Sequence, residues 1–210
     1  MKWRIGSMVI VLCILGSMLQ AGIVATTSNP SDFWALTSSP NSLILEGSST
    51  LLSKSSTDPA TAYGFGGYEQ LNNGTFSPLA SGQALTEGTY QITYILDTSV
   101  NTLGYDLASL RSILYYGDAG RRNHVYEVWI GYVGGAVGTD VFLGNVYWDT
   151  SSTLNATTVV DATFDAAILT TGVDVIQFSI GKVVYGNAYT ALEVVGTATL
   201  SPQGTLVIIQ

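Results

Sequence analysis

Residues 117 to 124, with the sequence GDAGRRNH, collect much of the polar chemistry of a sparsely charged chain of 210 residues. They include two of the seven Lys and Arg residues and the one histidine. A guanidinium carries a fixed fork of donors that suits vicinal hydroxyls or a carboxylate, and a nearby aromatic ring can stack on an apolar ligand face. The loop and its flanks therefore predict a ligand-binding site with these candidate residues: Tyr116, Asp118, Arg121, Arg122, Asn123, His124 and Trp129.

A structural role for the same loop is the alternative. The loop joins SLRSILYY to VYEVWIG as a predicted hairpin, in which Asp118 would pair with one arginine and Asn123 would shape the turn. We assign Arg121 to the pair with Asp118. Arg122 and His124 are then expected to be exposed and available to a ligand.

The sequence does not supply the residues of a common catalytic centre. It has a single histidine, no G-x-S-x-G, no H-E-x-x-H, and one cysteine, Cys13, inside an apolar run. The glycine-rich YGFGGY at residues 63–68 lacks both dinucleotide-binding spacing and a phosphate-loop lysine. A glycosidase needs only two carboxylates, but no pair stands out among the fifteen acids. We therefore predict a chain that is not an enzyme and has no catalytic residue.

The first 21 residues predict a secretory signal peptide. Lys2 and Arg4 precede an apolar run from Ile5 to Leu19, and small and polar residues follow. The run is shorter than the roughly 20 residues that span a bilayer, so we expect cleavage after Ala21, with Ala25 as the alternative. The expected location is outside the cell, either free or at the cell surface.

Beyond residue 21 the chain is acidic and contains no cysteine. It carries five Lys and Arg against fifteen Asp and Glu, a net charge of −10. Nucleic acids and anionic membrane surfaces are therefore expected to be poor partners, because few cations are present to neutralise phosphate, and we predict no nucleic-acid partner and no membrane span beyond residue 21. With 47% hydrophobic residues, the chain can bury a core without disulfides.

Short segments of alternating apolar and polar residues predict strands throughout the chain. The segments TYQITYILD, HVYEVWIGYV, VDVIQFSI and TALEVVGTATL are separated by Gly, Asn, Asp and Ser, which is typical of an all-β sandwich in one domain. The alternation places Glu127 and Trp129 outward. The residues predicted to be mostly buried are Tyr90, Ile92, Tyr94, Leu110, Tyr126, Val128, Ile130, Ile176, Phe178, Leu192 and Val194.

The predicted domain limits follow from composition. Residues 22–59 form an N-terminal segment that is partly linker, with SLILEG and STLLSK as the first strands, and residues 60–200 form the β-sandwich domain. Residues 201–210, SPQGTLVIIQ, are either a terminal strand that pairs back on TALEVVGTATL or a degenerate sorting tail. Their apolar part is too short to span a bilayer.

Three segments carry a resemblance to a known group of domains. In the order LNNGTF, ITYILDTSVNTLGYDLASLRSILYYGDAGRRNHVYEVWIG and ALEVVGTATL, they resemble the galactose-binding-like jelly-roll sandwiches, which include discoidin and coagulation-factor C-type domains, fucose-binding lectins and carbohydrate-binding modules. Within this group the chain is most similar to uncharacterised secreted bacterial proteins with a Pro-Glu-Pro sorting tail. The resemblance covers residues 63–199 and implies a jelly-roll fold.

The resemblance also implies specific sites, and the residues depart from two of them. Many relatives bind calcium through carboxylates where this chain has Asn73 and Ala191, so we predict no metal or cofactor, and we expect the remaining acid, Glu193, to be a solvated strand residue. In the fucose-binding lectins the loop resembles Arg-x-Asp followed by a second basic residue. Here Tyr116 replaces the first arginine and Arg122 comes one position early, which argues against fucose specificity.

Two functions remain at the level of sequence. The first is a secreted, non-catalytic carbohydrate-binding module that attaches to extracellular polysaccharide, with a glycan or exopolysaccharide as its partner. The alternative is a structural protein of the cell surface or matrix without a discrete ligand site. Fold alone does not separate them, since one fold carries many functions.

Overall fold

A computed structural model describes residues 23–57, 67–76, 84–86, 89–116, 123–135, 140–150, 156–164, 170–181 and 187–201. The strands are β1 (Ile23–Ser28), β2 (Leu51–Ser56), β3 (Ala84–Thr86), β4 (Tyr90–Leu96), β5 (Tyr105–Tyr115), β6 (His124–Tyr132), β7 (Val141–Trp148), β8 (Thr157–Phe164), β9 (Val173–Ile180) and β10 (Asn187–Ala198). Short 3-10 helices cover Phe33–Ala35 and Tyr68–Gln70. Within these ranges no helix is both long and apolar enough to cross a membrane.

The strands form two antiparallel layers. The first layer has the order β1-β8-β5-β10-β3, and the second has the order β7-β6-β9-β4-β2. A single residue pair, Tyr105 with Val173, joins the two layers. From β4 to β10 the chain passes repeatedly from one layer to the other, as in a jelly roll. The prediction of an all-β, jelly-roll sandwich is confirmed.

The core lies between the two layers and follows the alternation of the sequence. All eleven residues predicted to be buried have exposures of 4% or less. In β4, for example, Tyr90, Ile92, Tyr94 and Leu96 point inward while Gln91 and Ile95 are exposed. Burial of each large apolar side chain contributes about 1.5–3 kcal/mol before the cost of ordering the chain. The period-two pattern therefore identifies the part of the core that the strands contribute.

The loop between β5 and β6 is not the tip of a hairpin, so that prediction was wrong. Strand β5 pairs mainly with β8 and β10 and β6 pairs with β7 and β9, which places the two strands in different layers. The described ends of the loop, Tyr116 and Asn123, therefore adjoin strands of different layers. The strand expected at SLILEG is also absent: Ser42 makes an isolated bridge to Val195, and Leu43 and Ile44 are buried in a turn.

The outer face of the first layer is partly covered by the N-terminal segment. Phe33 packs there with Ile113, Val159 and Ala191 in a small apolar cluster. Glu193 lies on the same face and is 4% exposed, so the expectation of a solvated residue was wrong. The alternation predicted its direction correctly, but not the segment that covers it.

Arg111 compensates the buried carboxylate of Glu193. The backbone N–H of Ser39 donates to Glu193 Oε1 at 2.7 Å, and Arg111 Nη1 lies 3.7 Å from Oε2. Arg111 Nε also donates to Asp161 Oδ1 at 2.6 Å. Burial raises the pKa of the Glu193 carboxyl above its ordinary value, and the Arg111 charge opposes that shift. The guanidinium thus holds two carboxylates on the outer face of one layer.

Replacing Arg111 with Met is expected to lower the free energy of unfolding by about 2 kcal/mol at pH 7. Loss of one partner of a fully buried pair costs about 3–5 kcal/mol, and this arginine side chain is 35% exposed, which reduces the effect. Adding Glu193→Gln removes the uncompensated charge and keeps an acceptor for Ser39, so the double variant should recover part of the loss. Urea denaturation measures both, and an equal loss in the two variants would contradict the proposed charge compensation.

Candidate functional site

The structure describes four of the seven residues proposed for the loop site. Asp118, Arg121 and Arg122 lie outside the described residues, so the proposed ion pair and the availability of Arg122 stay predictions. Tyr116 is half-buried: its backbone N–H donates to the Ala156 carbonyl at 3.1 Å, and its side chain packs on Ala188. It is therefore not a fully exposed stacking platform.

Asn123 has a structural role. Its Oδ1 accepts hydrogen bonds from the backbone N–H and the hydroxyl of Thr150, both at 2.8 Å. This contact joins the start of β6 to the residues that follow β7. The role of Asn123 in the turn itself stays a prediction, because residues 117–122 lie outside the described residues.

His124 is fully buried, so the expectation that it is exposed and available to a ligand was wrong. Its Nδ1 lies 2.7 Å from Ser112 Oγ, and its Nε2 lies 3.0 Å from Thr158 Oγ1. Its ring stacks on Trp148 with centroids 5.6 Å apart. A neutral imidazole has one donor and one acceptor nitrogen, and hydroxyl partners can satisfy both because each can donate or accept. His124 is therefore a core residue that bridges the two layers.

Burial also sets the protonation state of His124. Desolvation lowers its pKa from an ordinary 6.5 to about 3. Ser112 Oγ lies 3.1 Å from the hydroxyl of Tyr126, which extends the polar network. The hydroxyl of Tyr189 accepts the backbone N–H of Val125 at 3.1 Å. The described part of this network contains no ionised group at neutral pH.

This burial predicts a pH dependence of stability. Between pH 6.5 and 3 the unfolded chain binds a proton at His124 that the folded protein does not, so stability falls as pH falls, by about 1.4 kcal/mol per unit. The contribution is complete above pH 6.5. Relative to His124→Gln, the wild type should lose about 2 kcal/mol between pH 7.5 and 5. Urea denaturation at both pH values tests this, and a constant difference would show that His124 titrates normally in the fold.

Trp129 lies on the opposite face of β6 from His124. It is half-buried on the outer face of β6, where its indole N–H donates to Glu127 Oε2 at 3.2 Å and its ring packs on Phe142 at 5.0 Å. It comes five positions after His124 in β6, a distance of about 16 Å along the strand. The outward direction of Glu127 and Trp129 is as predicted. The structure does not bring Trp129 and His124 together, and the grouping of Trp129 with residues 117–122 stays a prediction because those residues lie outside the described part of the chain.

A shallow groove of about 200 Å³ occupies the outer face of the second layer beside Glu127. Its residues were not proposed from the sequence, apart from the outward direction of Glu127. We call it the outer-face groove and define it by Thr89, Val125, Glu127, Asn145, Tyr147 and Ser179. The groove therefore draws on three neighbouring strands and the residue before β4.

Strand register places these side chains together. Glu127 is directly opposite Asn145 of β7 on one side and Ser179 of β9 on the other. Val125 is opposite Tyr147. Directly opposed residues on one face have Cβ atoms about 4.5–5.5 Å apart, which is close enough for one small ligand to contact several of them.

Two glycines shape the surroundings of the groove. A Cβ on Gly181 would lie 2.7 Å from the Val125 side chain, so only glycine allows β9 and β6 to approach at this end. Gly144 has a φ of 154° at the irregularity in the β6–β7 register. That irregularity brings Phe142 opposite Trp129 on the outer face, while Asn145 stays opposite Glu127. The backbone thus aligns three outward pairs on two strands.

The groove combines an exposed aromatic ring with several polar side chains. Tyr147 is 71% exposed, although a large aromatic side chain ordinarily buries most of its surface. Glu127 contributes carboxylate acceptors, Asn145 an amide with donors and an acceptor, and Ser179 a hydroxyl. The one charge among the described lining residues is that of Glu127. This arrangement suits a neutral ligand with an apolar face and several hydroxyls.

The calcium position implied by the resemblance does not fit calcium. Asn73, Ala191 and Glu193 line one small cavity. Asn73 Oδ1 accepts the Thr75 backbone N–H at 2.8 Å, Ala191 has no side-chain oxygen, and the Glu193 carboxylate already faces Arg111. Calcium affinity depends on the number of charged oxygen ligands, which is insufficient here. The described residues contain no group of three or more metal-binding side chains.

No protein-family model and no curated protein matches the chain. Among solved structures, it is similar to a mutant of the lectin binding domain of Lectinolysin complexed with Lewis b, at 10% identity and a TM-score of 0.45, covering 78% of this chain and 100% of that one. It is also similar to chitosan-binding module 1 of a chitosanase/glucanase from Paenibacillus sp. IK-5, at 11% identity and a TM-score of 0.39, with coverages of 74% and 98%.

A third similar structure is CpGH89CBM32-5 from Clostridium perfringens, in complex with GalNAc-beta-1,3-galactose. It has 14% identity and a TM-score of 0.37, with coverages of 82% of this chain and 94% of that chain. At these identities and TM-scores, none of the three carries an argument about the ligand of this chain. The assignment of its site therefore rests on its own residues.

Proposed function

We propose that the chain is a secreted, non-catalytic carbohydrate-binding module that attaches to extracellular polysaccharide through the outer-face groove. The observation that carries the proposal is the exposed ring of Tyr147 beside Glu127 and Asn145. The C–H face of a pyranose stacks on an aromatic ring, and its hydroxyls donate to a carboxylate and exchange hydrogen bonds with an amide. All three contacts are available on one side of the sheet.

The charge of the groove indicates which polysaccharides it accepts. Glu127 would repel a uronate, and the net charge of −10 beyond residue 21 acts in the same direction at longer range. A neutral sugar avoids this repulsion. The expected partners are therefore neutral polysaccharides, and polyuronates are expected to bind poorly.

The absence of catalysis is proposed on the composition of the same groove. Glycoside hydrolysis requires two carboxyl groups on either side of the scissile bond. Glu127 is the one carboxylate among the described lining residues. One carboxylate is sufficient to accept a hydrogen bond from a sugar hydroxyl. It is not sufficient for hydrolysis, in which one carboxyl group protonates the leaving group and a second activates water or attacks the sugar.

Secretion is supported by the N-terminal sequence and by its relation to β1. Cleavage after Ala21 would leave β1 whole, whereas cleavage after Ala25 would remove its first three residues, of which Ile23 pairs with Phe164. We therefore favour Ala21. N-terminal sequencing of the exported protein should begin at Gly22.

Affinity electrophoresis tests the proposed function. The exported chain is run in gels that contain a neutral galactan, xylan, glucan or mannan, and in parallel gels with alginate or polygalacturonate. We expect retardation by at least one neutral polysaccharide and none by the two polyuronates. Unchanged migration in every gel would contradict the proposal and favour a structural surface protein without a ligand site. Retardation by a polyuronate alone would contradict the groove as the binding site and favour the loop of residues 117–124, which we call the arginine loop.

A further inference from the structure

We infer that the outer-face groove is one subsite of a longer binding face, which accommodates at least two consecutive sugar residues of a neutral polysaccharide chain. The inference rests on the proposed function and specifies its ligand. The chain would bind internal segments of a polysaccharide rather than a single terminal sugar. We call this surface the β6–β7 face and define it by Glu127, Trp129, Phe142, Asn145 and Tyr147.

Three outward pairs lie in succession along the β6–β7 face. Val125 is opposite Tyr147, Glu127 is opposite Asn145, and Trp129 is opposite Phe142. At about 3.3 Å per residue, the four steps from the first pair to the third span about 13 Å. A single pyranose ring is shorter than this distance. One sugar therefore cannot contact both ends of the face.

An aromatic group lies at each end of the β6–β7 face, with polar groups between. Tyr147 is at one end, and the Trp129 and Phe142 rings lie at the other with centroids 5.0 Å apart. The indole N–H of Trp129 donates to Glu127 Oε2 at 3.2 Å, which holds the carboxylate between the two aromatic ends. A linear sugar chain presents apolar ring faces at intervals and hydroxyls along its length, and this order of side chains matches it.

The adjoining strand extends the polar part of the surface. Ser179 and Gln177 of β9 are opposite Glu127 and Trp129, respectively. Beyond them Thr93 of β4 donates to Gln177 Oε1 at 3.4 Å. Hydroxyls and amides therefore flank the β6–β7 face along the same direction. A ligand chain that follows β6 would meet acceptors and donors at successive sugar residues.

The volume of the groove supports the same conclusion. About 200 Å³ is below the roughly 300–1,000 Å³ of pockets that enclose a drug-sized ligand. A site this small and open gains little from one sugar ring. Further contacts at Trp129 are the means by which such a surface would bind a polymer more tightly than a monosaccharide.

A chain-length series tests this inference. The exported chain is titrated by calorimetry with gluco-, xylo- and galacto-oligosaccharides of one to five units. For the sugar that binds, we expect affinity to rise at least tenfold from one unit to three and then to level off. Trp129→Ala should remove most of this gain, and Trp129→Phe should restore part of it. Trp34→Ala is the matched control, since Trp34 is 75% exposed and belongs to the N-terminal 3-10 helix.

The outcomes separate the inference from the function on which it rests. If affinity is the same at every length and Trp129→Ala keeps the wild-type profile, while Tyr147→Ala loses binding, the groove binds one sugar and the inference is wrong. If no oligosaccharide binds and no neutral polysaccharide retards the chain in gels, the proposed function fails and the inference fails with it.

Discussion

Replacing His124 with Ala is expected to lower the free energy of unfolding by about 3–5 kcal/mol. The substitution opens a cavity between the two layers and leaves the hydroxyls of Ser112 and Thr158 without their imidazole partner. It also removes the ring that stacks on Trp148. Urea denaturation at pH 7.5, where His124 is neutral in both states, measures the effect without a contribution from its protonation.

Two further variants make this result specific. His124→Gln retains a donor and an acceptor and should lose less stability than the alanine variant. Tyr147→Ala removes an exposed aromatic residue and should change stability by no more than about 0.5 kcal/mol. A loss below 1 kcal/mol for His124→Ala would show that the buried network contributes little to the free energy of unfolding. It would contradict the burial of His124 and favour a position at the surface.

Replacing Tyr147 with Ala is expected to weaken binding of a neutral polysaccharide by about tenfold to a hundredfold. Truncation of an aromatic side chain that anchors an interface often costs about 2 kcal/mol or more, and each 1.4 kcal/mol is a factor of ten. Tyr147→Phe keeps the stacking surface and should retain most of the affinity. Affinity electrophoresis and calorimetry measure both variants against the wild type.

The arginine loop provides the opposing comparison. The double variant Arg121→Gln with Arg122→Gln removes the loop's two cations and leaves the groove unchanged. If the groove is the site, the double variant should bind as the wild type does. Loss of binding in the double variant, together with normal binding by Tyr147→Ala, would place the site in the loop and contradict the assignment to the outer face.

The core was predictable because period-two alternation is a local signal. The alternation of Tyr126, Val128 and Ile130 was recognised, and each is buried. His124 lies two positions before Tyr126 and therefore shares its face, so the same alternation predicts that His124 is buried. The expectation of an exposed His124 follows instead from its place at the end of GDAGRRNH, beside the two arginines, whereas β6 begins at that residue.

The outer-face groove could not be predicted in the same way. The position of Asn145 and Tyr147 beside Glu127 depends on the register in which β7 pairs with β6, which includes the irregularity between Gly144 and Phe142. Neither is encoded by a local pattern. The burial of Glu193 has a similar origin, because the segment that covers it comes from more than 150 residues earlier in the chain. The groove and the burial of Glu193 both depend on contacts between segments that are distant in the sequence, which local patterns do not predict.

Amide chemical-shift mapping is the most direct test of the central claim that the outer face of the second layer binds glycan. An ¹⁵N-labelled exported chain is titrated with oligosaccharides from whichever neutral polysaccharide retards it in gels. The account predicts that the largest shifts fall on Val125 to Trp129, on Asn145 to Tyr147 and on Ser179, with an additional shift of the Trp129 indole N–H. Shifts confined to residues 116–124, with the outer face unchanged, would contradict it.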